Sequence, residues 1–195
     1  MFTIVVLAST NGTDLQAIID EIYTGTLPVQ LSAVIANREC YAIERAKHQG
    51  FHTVVIHSKG KVKEEYDKNL LSEIQRYKPD LIVLVGYMRI LSPSVIHVFK
   101  NKIINVHPSL IPKYSGEKYY GSNVHKAVLD AGEKESGMTI HLVDEGVDTG
   151  KILCQRKVLI EKGETVDSLK KKIQALEKKW YPEIIRSFIK KKKRA

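Results

Sequence analysis

An amide and an imidazole stand two residues apart at the end of an apolar run, as Asn105 and His107, and Pro108 follows directly. If residues 102–106 form a strand, side chains two positions apart share a face, so both groups point the same way. Because Pro108 cannot donate to a sheet ladder, we expect the strand to end before it. An amide donor beside a group that titrates near neutrality is a minimal site for acyl transfer, although such a pair also serves in ordinary turns.

The elements that must position this pair alternate along the chain. Short apolar runs are followed by amphipathic stretches from residue 3 to residue 106, which predicts a Rossmann-like, doubly wound and mostly parallel sheet in a single α/β domain. In such a sheet, ligands bind at the carboxyl ends of the strands. The predicted strands cover 3–7, 31–36, 53–56, 81–85, 102–106, 136–142 and 152–159, and the predicted helices include 41–49, 62–77, 122–131 and a long one that starts at 165.

A small polar loop follows the first predicted strand, and an apolar helical pattern starts at Leu15. This arrangement offers backbone N–H groups and the positive end of a helix to a phosphate. The loop matches neither a Walker A motif nor GxGxxG, so by pattern alone it is also compatible with an ordinary strand-to-helix turn. Thr13 or Asp14 is the expected N-cap.

The composition limits the class of protein. The 195 residues are 43% hydrophobic and 27% charged, which is typical of one soluble globular domain. No signal peptide or membrane-length apolar run is visible, and two cysteines suggest no disulfide framework, so we expect a reducing cytoplasm. The net charge of +9 comes largely from lysines near the C-terminus. A solvated basic face explains it without nucleic acid, and anionic small substrates would also suit it.

The longer string that contains the pair, Asn-Val-His-Pro-Ser-Leu-Ile-Pro over 105–112, resembles the signature of the folate-dependent formyltransferases. Further blocks in the same order, as far as Tyr181-Pro182, resemble the phosphoribosylglycinamide formyltransferases of purine synthesis. The resemblance implies a formyltransferase catalytic domain over 1–195, with a basic tail at 190–195. It also implies transfer of a formyl group from 10-formyltetrahydrofolate to the amine of 5′-phosphoribosylglycinamide, with no metal.

The same resemblance implies the roles of individual residues. The catalytic trio falls on Asn105, His107 and Asp148, with a protonated His107 donating to an oxyanion. Asp148 is preferred to Asp144 because it stands directly before Thr149-Gly150, where the family has its Gly pair. For His141 two interpretations remain: it belongs to this site, or it is a strand histidine whose hydrogen bonds are satisfied within the sheet.

The substrate contacts also come from the resemblance. The implied ribonucleotide contacts are Gly12, Thr13, Asp14, Gln174 and Glu177, and the implied folate contacts are Lys63, Met88, Arg89, Ile90, Leu91 and Asn105. Two residues depart from the family, which has Gly where Thr10 stands and often Asn where Asp14 stands. Because a carboxylate cannot donate to a phosphate, we expect the backbone N–H groups to hold it while Asp14 caps the helix. The segment 113–121 fits either a mobile loop over the site or a plain surface connection, and its contacts are unassigned.

Other functions fit parts of the pattern. Methionyl-tRNA formyltransferase would carry a further C-terminal domain, and formyltetrahydrofolate deformylase an N-terminal one. Outside the enzymes, the chain could be an inactive nucleotide-binding relative. We expect no nucleic-acid or membrane partner, and a monomer or homodimer.

Overall fold

The computed structural model describes residues 1–193; the last two residues of the predicted basic tail, Arg194 and Ala195, lie outside the described range. Within this range the strands are β1 (Phe2–Ala8), β2 (Val29–Ala36), β3 (Thr53–Val55), β4 (Leu81–Val85), β5 (Ile103–His107), β6 (Glu135–Leu142) and β7 (Ile152–Leu159). The helices are α1 (Thr13–Tyr23), α2 (Tyr41–His48), α3 (Lys63–Arg76), α4 (Pro93–Val98), α5 (Ser122–Asp130) and α6 (Val166–Lys192).

All seven of these strands form one sheet in the order β3-β2-β1-β4-β5-β6-β7. The pairs from β3 to β5 are parallel, whereas β6 runs antiparallel to both β5 and β7. The predicted mostly parallel sheet is therefore confirmed. The strand order reverses between β1 and β4, and the loops that leave their carboxyl ends meet there, as expected for a ligand cleft.

Alternate residues of the strands feed two separate cores, one on each face of the sheet. On β1, Ile4 and Val6 belong to the core shared with α1, α2 and α6, while Val5 and Leu7 belong to the core under α3 and α4. This two-sided burial explains why the strands read as continuous apolar runs.

The long helix α6 is fixed to the centre of the sheet by Tyr181. Its buried hydroxyl donates to the carbonyl oxygen of Leu84 at 2.7 Å and lies 3.1 Å from that of Ile104, on the neighbouring strands β4 and β5. Thr165 begins the helix with a capping box formed with Ser168. These contacts set the position of the α6 residues one and two turns before Tyr181.

Strand β5 is longer than predicted by one residue at its end. His107 pairs with Thr139 of β6, so the ladder continues up to Pro108. The predicted strand ended at Val106. The extra pairing was missed because the antiparallel neighbour that extends it lies about thirty residues away in the chain.

Candidate active site

The first cleft wall is the loop between β1 and α1. Gly12 adopts a left-handed conformation with φ of 68° and is the N-cap of α1, with no side-chain cap, so the expected cap by Thr13 or Asp14 is wrong. A Cβ on Gly12 would lie 2.7 Å from the Cβ of Ala42, which leaves no room for a side chain. The N–H groups of residues 13–15 have no carbonyl one turn back and remain free for a ligand.

Two arginines hold the carbonyl side of this loop. Arg38 donates through Nε to the carbonyl of Ser9 at 3.0 Å, and Arg45 donates through Nε to that of Asn11 at 2.8 Å. The carbonyls are thus paired with arginine, and the helix N-terminus lines the cleft. The strand, loop and helix start that the sequence indicated are present, and Thr13 borders the cleft beside Asp14.

Asp14 lies one residue into α1 and points away from a capping position. It is 6% exposed, and its Oδ1 atom has no hydrogen-bond partner in the described part of the chain. Burial raises the pKa of Asp14 to about 7, an increase that the positive charge of Lys178 partly offsets. A carboxyl of this kind carries a proton in a large fraction of molecules at neutral pH.

On the other side of this subsite, α6 presents Gln174 and Glu177 to the same cleft. Glu177 is 7% exposed. Burial raises its pKa well above the ordinary value, and the negative charge of Asp14 raises it further. The predicted ribonucleotide contacts are therefore brought together from α1 and α6, and two of them form a buried pair of acids.

The predicted catalytic trio also converges. His107 Nδ1 lies 3.3 Å from Oδ2 of Asp148, and Asn105 stands two residues before His107 on β5 with its side chain at the cleft. His141, directly opposite Asn105 on β6, joins them: its Nε2 lies 3.3 Å from Nδ2 of Asn105 and 3.5 Å from Oδ1 of Asp148. The alternation of residues along β6 could have identified His141, but only once the pairing of β5 with β6 was known.

The tautomer of His141 follows from its contacts. Its Nδ1–H donates to the carbonyl of Leu142 at 2.8 Å, so Nε2 of the neutral ring is free to accept. In this state the Asn105 amide donates to His141.

The ring of His107 is oriented by the turn that follows it. Its Nε2–H donates to the carbonyl of Tyr114 at 2.7 Å, so Nδ1 is the nitrogen that gains and loses a proton. Ser109 donates to the carbonyls of Lys113 and Tyr114, and the Thr139 hydroxyl donates to the carbonyl of Ser109. These groups were not among the predicted site residues, since a backbone carbonyl leaves no signature in a sequence.

Asp148 reaches the site from a strained loop position. Its φ is 60°, and its Oδ2 accepts from the N–H of Gly116 at 3.1 Å. Gly150 lets the loop approach β6, because a Cβ there would lie 1.8 Å from the carbonyl oxygen of Leu142. Asp144 instead accepts from Thr149 and from the Gly146 N–H within its own loop. Of the two aspartates, Asp148 is the one beside His107.

Burial and charge oppose each other at this pair. Burial lowers the pKa of His107, while the charge of Asp148 and the hydrogen bond to Tyr114 act against that change. Burial alone would raise the pKa of Asp148, but the contact with the His141 ring and the charge of His107 outweigh it, so that pKa is lowered. The resting site thus favours neutral His107, in contrast to the protonated ring expected from the sequence. When the ring gains a proton, Nδ1 faces Asp148 and Nε2 faces the Tyr114 carbonyl, and both are acceptors.

The second cleft wall is the segment after β4. Met88 and Ile90 are 44% and 48% exposed at the rim, and the N–H of Met88 donates to Ser9 Oγ at 2.9 Å, which ties this segment to the first loop. Arg89 packs over the ring of Tyr66 at 4.4 Å, and its Nε has no partner among residues 1–193. Leu91 is buried beside them.

Lys63 is the one predicted contact that does not border the cleft. Its ammonium group binds Asp67 at 2.5 Å and the carbonyl of Ile90 at 3.3 Å, so it supports the segment 88–91 from behind. The resemblance implied that Lys63 contacts folate, whereas the structure places it beside the segment 88–91 on the side that faces away from the cleft.

His125 is a further cleft residue that the sequence did not single out. It is 4% exposed, and its Nδ1 has no partner within the described residues. Burial, together with the positive charge of Lys170 and that of His107 when it is protonated, lowers the pKa of His125 to about 4. The ring is therefore neutral at physiological pH.

The whole cleft has a volume of about 1210 Å³ and joins the α1 loop, the group around His107 and the segment 88–91. Across residues 1–193, no three or more His, Cys, Asp and Glu side chains are arranged to hold a metal ion. Over the same range, no helix is both long and apolar enough to cross a membrane.

Comparison with known proteins places the chain in a family. The formyl transferase family model matches residues 2–185. Phosphoribosylglycinamide formyltransferase of Escherichia coli K12 is 38% identical over 187 residues, which cover 95% of this chain and 86% of that protein. The Haemophilus influenzae protein of the same name is 37% identical over 190 residues, covering 96% of this chain and 87% of that one.

A solved structure shows the same relationship. The glycinamide ribonucleotide transformylase 1 of Symbiobacterium toebii superposes with a TM-score of 0.89 at 37% identity, covering 95% of this chain and 86% of that one. The sheet order, the cleft and these matches over nearly the whole length lead to one assignment. The chain belongs to the formyl transferase family, among the relatives named phosphoribosylglycinamide formyltransferase.

Proposed function

We propose that the protein transfers a formyl group from 10-formyltetrahydrofolate to the amine of 5′-phosphoribosylglycinamide, in purine biosynthesis. The observation that carries this proposal is the convergence of Asn105, His107 and Asp148 in one cleft, between a helix N-terminus and the segment 88–91. The names of the relatives supply the acceptor and the formyl group, and the family resemblance supplies the folate donor. The two ends of the cleft differ in a way that suits a phosphate at one and a flat ring at the other.

The ribonucleotide end is assigned to the α1 N-terminus. The free N–H groups of residues 13–15 and the left-handed Gly12 suit a phosphate, while Gln174 and Glu177 would meet the ribose and glycinamide. Lys170 also borders the cleft and adds positive charge to this end. The proposal makes the phosphate a major source of substrate affinity.

The folate end is assigned to the segment 88–91. The half-exposed apolar side chains of Met88 and Ile90 and the unpartnered Nε of Arg89 suit a ring that is apolar on its faces and polar at its edges. Lys63 would act here only indirectly, through the carbonyl of Ile90. When bound, 10-formyltetrahydrofolate supplies the formyl carbon and, at N10, the atom that takes up a proton on leaving.

The reaction forms a bond from the substrate amine to the formyl carbon, breaks the bond from that carbon to N10, and moves a proton from the amine to N10. The Asn105 amide is proposed to donate to the formyl oxygen as negative charge develops there. His107, neutral at rest, accepts the proton through Nδ1 and becomes an imidazolium held by Asp148 and the Tyr114 carbonyl. Asp148 stabilises this charged ring and so lowers the barrier to proton transfer.

A single assay with four acceptors tests the proposal. Purified protein and 10-formyltetrahydrofolate are mixed with 5′-phosphoribosylglycinamide, the riboside without phosphate, tRNA or water, and the folate product is followed by absorbance. We expect rapid turnover only with the phosphorylated glycinamide, and a far lower kcat/KM with the riboside. Equal kcat/KM for the two glycinamides would contradict the phosphate subsite, and preference for tRNA or water would assign a different formyltransferase or a hydrolase.

We also propose the compartment, the oligomeric state and the domain extent of the protein. We place the protein in the cytoplasm, as a monomer or homodimer that uses no nucleic-acid partner, with residues 1–195 forming one catalytic domain. Size-exclusion chromatography with light scattering determines the oligomeric state.

A further inference from the structure

A pair of buried acids lies at the phosphate end of the cleft, where a family relative often has an amide in place of Asp14. Asp14 is at the second position of α1, lines the cleft and is 6% exposed, and its buried Oδ1 atom has no partner within residues 1–193. A buried polar atom without a partner costs free energy, so a native protein that keeps one generally has a use for it. The residues that carry the free N–H groups of α1 and the Asp14 side chain border the same cleft.

The charged groups around Asp14 do not neutralise it. On α6, Glu177 is a second buried acid, and Tyr181 has a buried hydroxyl that already donates to the sheet. Lys178, on the same helix, is the cation whose charge acts on Asp14. Lys170, also on α6, acts on Glu177 and on His125 of α5 rather than on Asp14.

The other cations near Asp14 are directed at the backbone of the loop, and neither of them contributes to the pKa of its carboxyl. From the α2 side, Arg38 and Arg45 donate their Nε–H groups to carbonyls of the 9–12 loop, and β4 contributes apolar side chains. An ionised Asp14 would therefore meet the substrate phosphate as a like charge, at short range and with little water.

A proton on Asp14 reverses this relationship. A neutral carboxyl has one O–H donor, so it can donate to a phosphate oxygen as an asparagine amide could. Hydrogen bonds to a charged oxygen are the stronger kind, and the phosphate monoester is mainly a dianion above its second pKa of about 6.

We propose that Asp14 binds the substrate phosphate in its protonated form, so that ribonucleotide binding takes up a proton wherever Asp14 is ionised in the free protein. This inference rests on the proposed function, because it takes the α1 N-terminus as the phosphate subsite. It makes Asp14 a specificity-determining residue whose contribution decreases as the pH rises, unlike that of an asparagine.

The experiment compares Asp14→Asn with the wild-type full-length chain. Ribose 5-phosphate binding is measured by calorimetry at pH 6.5, 7.5 and 8.5, each in two buffers of different ionisation enthalpy, which counts the protons taken up. Asp20→Asn is the matched control, since Asp20 is an exposed acid on the same helix. Because the ligand phosphate titrates equally with every variant, only differences between variants report on Asp14.

We expect the wild type and Asp20→Asn to take up close to one proton at pH 8.5, and their affinity to fall by roughly tenfold from pH 7 to 8.5. Asp14→Asn should take up none beyond the ligand's own titration and keep its affinity over this range. Equal proton uptake and parallel pH profiles for the wild type and Asp14→Asn would overturn the inference.

A second measurement serves if Asp14→Asn does not fold. Carboxyl ¹³C NMR of the wild type follows Asp14 with and without ribose 5-phosphate, and we expect the ligand to keep this carboxyl protonated to higher pH. A midpoint that stays constant or falls on binding overturns the inference.

The steady-state assay separates the two proposals. If the wild type turns over 5′-phosphoribosylglycinamide but its KM has the same pH dependence as that of Asp14→Asn, only the role of Asp14 fails. If no pH gives turnover of this substrate while ribose 5-phosphate still binds with proton uptake, the proposed function fails and the protonated phosphate site stands.

Discussion

Replacing Asp148 with Asn removes one charge from the site and almost nothing else. Asp148 has a φ of 60°, and Asn tolerates this left-handed conformation as well as Asp does. The side-chain oxygen can still accept from the N–H of Gly116, as Oδ2 does now at 3.1 Å. The side-chain NH₂ would then face His107 Nδ1, where it can donate to the neutral ring but not to the imidazolium.

The size of the effect follows from the distance and the burial. His107 Nδ1 and Asp148 Oδ2 are 3.3 Å apart, with side-chain exposures of 5% and 10%, so water screens this contact poorly. An opposite charge at such a distance typically changes a pKa by about 1 to 3 pH units, or about 1.4 to 4 kcal/mol. We therefore expect the pKa of His107, already lowered by burial, to fall by about this much more in Asp148→Asn.

The consequence for catalysis has a definite sign. Because His107 must accept a proton during transfer, each pH unit lost makes the imidazolium that forms about 1.4 kcal/mol less stable, so kcat near pH 7.5 should fall by roughly 10- to 1000-fold. Since the neutral ring is the form that accepts the proton, the remaining activity of Asp148→Asn should extend to a lower pH than that of the wild type.

The assay is a long-range ¹H–¹⁵N NMR titration of the ring nitrogens, with His107→Asn to assign the signal. Asp144→Asn is the matched control, because Asp144 sits in the same loop but binds Thr149 and Gly146. This control should leave the pKa of His107 where it is. If Asp148→Asn leaves that pKa unchanged or raises it, Asp148 is not the charge partner of His107 and the proposed proton path is incorrect.

Three further predictions concern single side chains. Asn105→Ala should lower kcat by roughly 10²–10³-fold and leave the thermal midpoint nearly unchanged. The control Asn69→Ala, on the exposed face of α3, should leave kcat unchanged. A near-normal kcat for Asn105→Ala would contradict the oxyanion role of Asn105. His125 has a folded-state pKa of about 4 against an ordinary 6.5, so its stabilising contribution is complete above pH 6.5 and is lost as the pH falls toward 4. In urea unfolding, His125→Gln should therefore lose less stability than the wild type between pH 7.5 and 5, and parallel losses would contradict this reasoning. Gly12→Ala should lower the free energy of unfolding by at least about 1 kcal/mol more than Gly25→Ala. Both glycines have positive φ, but of the two only Gly12 would place a Cβ against another residue, 2.7 Å from the Cβ of Ala42. Equal losses in urea unfolding would show that the structure relieves this clash.

The fold was predictable because its signals are local. β4 is apolar throughout and bounded by Pro79 and Gly86, and the structure gives it the predicted limits of 81–85. The limits of β7 were also predicted correctly. The end of β5 was not, since the pairing of His107 with Thr139 depends on a strand that arrives only after α5.

The site was predictable only for side chains that a motif identifies. Asn105, His107 and Asp148 converge as the resemblance implied. The cap of α1 was predicted from residue preference, and the structure instead uses the left-handed backbone of Gly12 and leaves Asp14 facing the cleft. Preference describes an average helix, whereas here the close packing of Ala42 of α2 on Gly12 decides the geometry.

The turn from Pro108 to Gly116 explains why the His107 motif continues so far beyond the histidine. Its Tyr114 carbonyl accepts from His107, and its Gly116 N–H donates to Asp148, so one backbone segment holds both His107 and Asp148. Thr139 and Gln155 fix the start of this turn through the carbonyl of Ser109 and both backbone groups of Ile111, from strands on the antiparallel side of the sheet. A change that displaces the turn must therefore alter the orientation of His107 and the charge environment of Asp148 together. The chemistry of β5 is thus set by the antiparallel extension of the sheet as well as by the parallel half that forms the cleft.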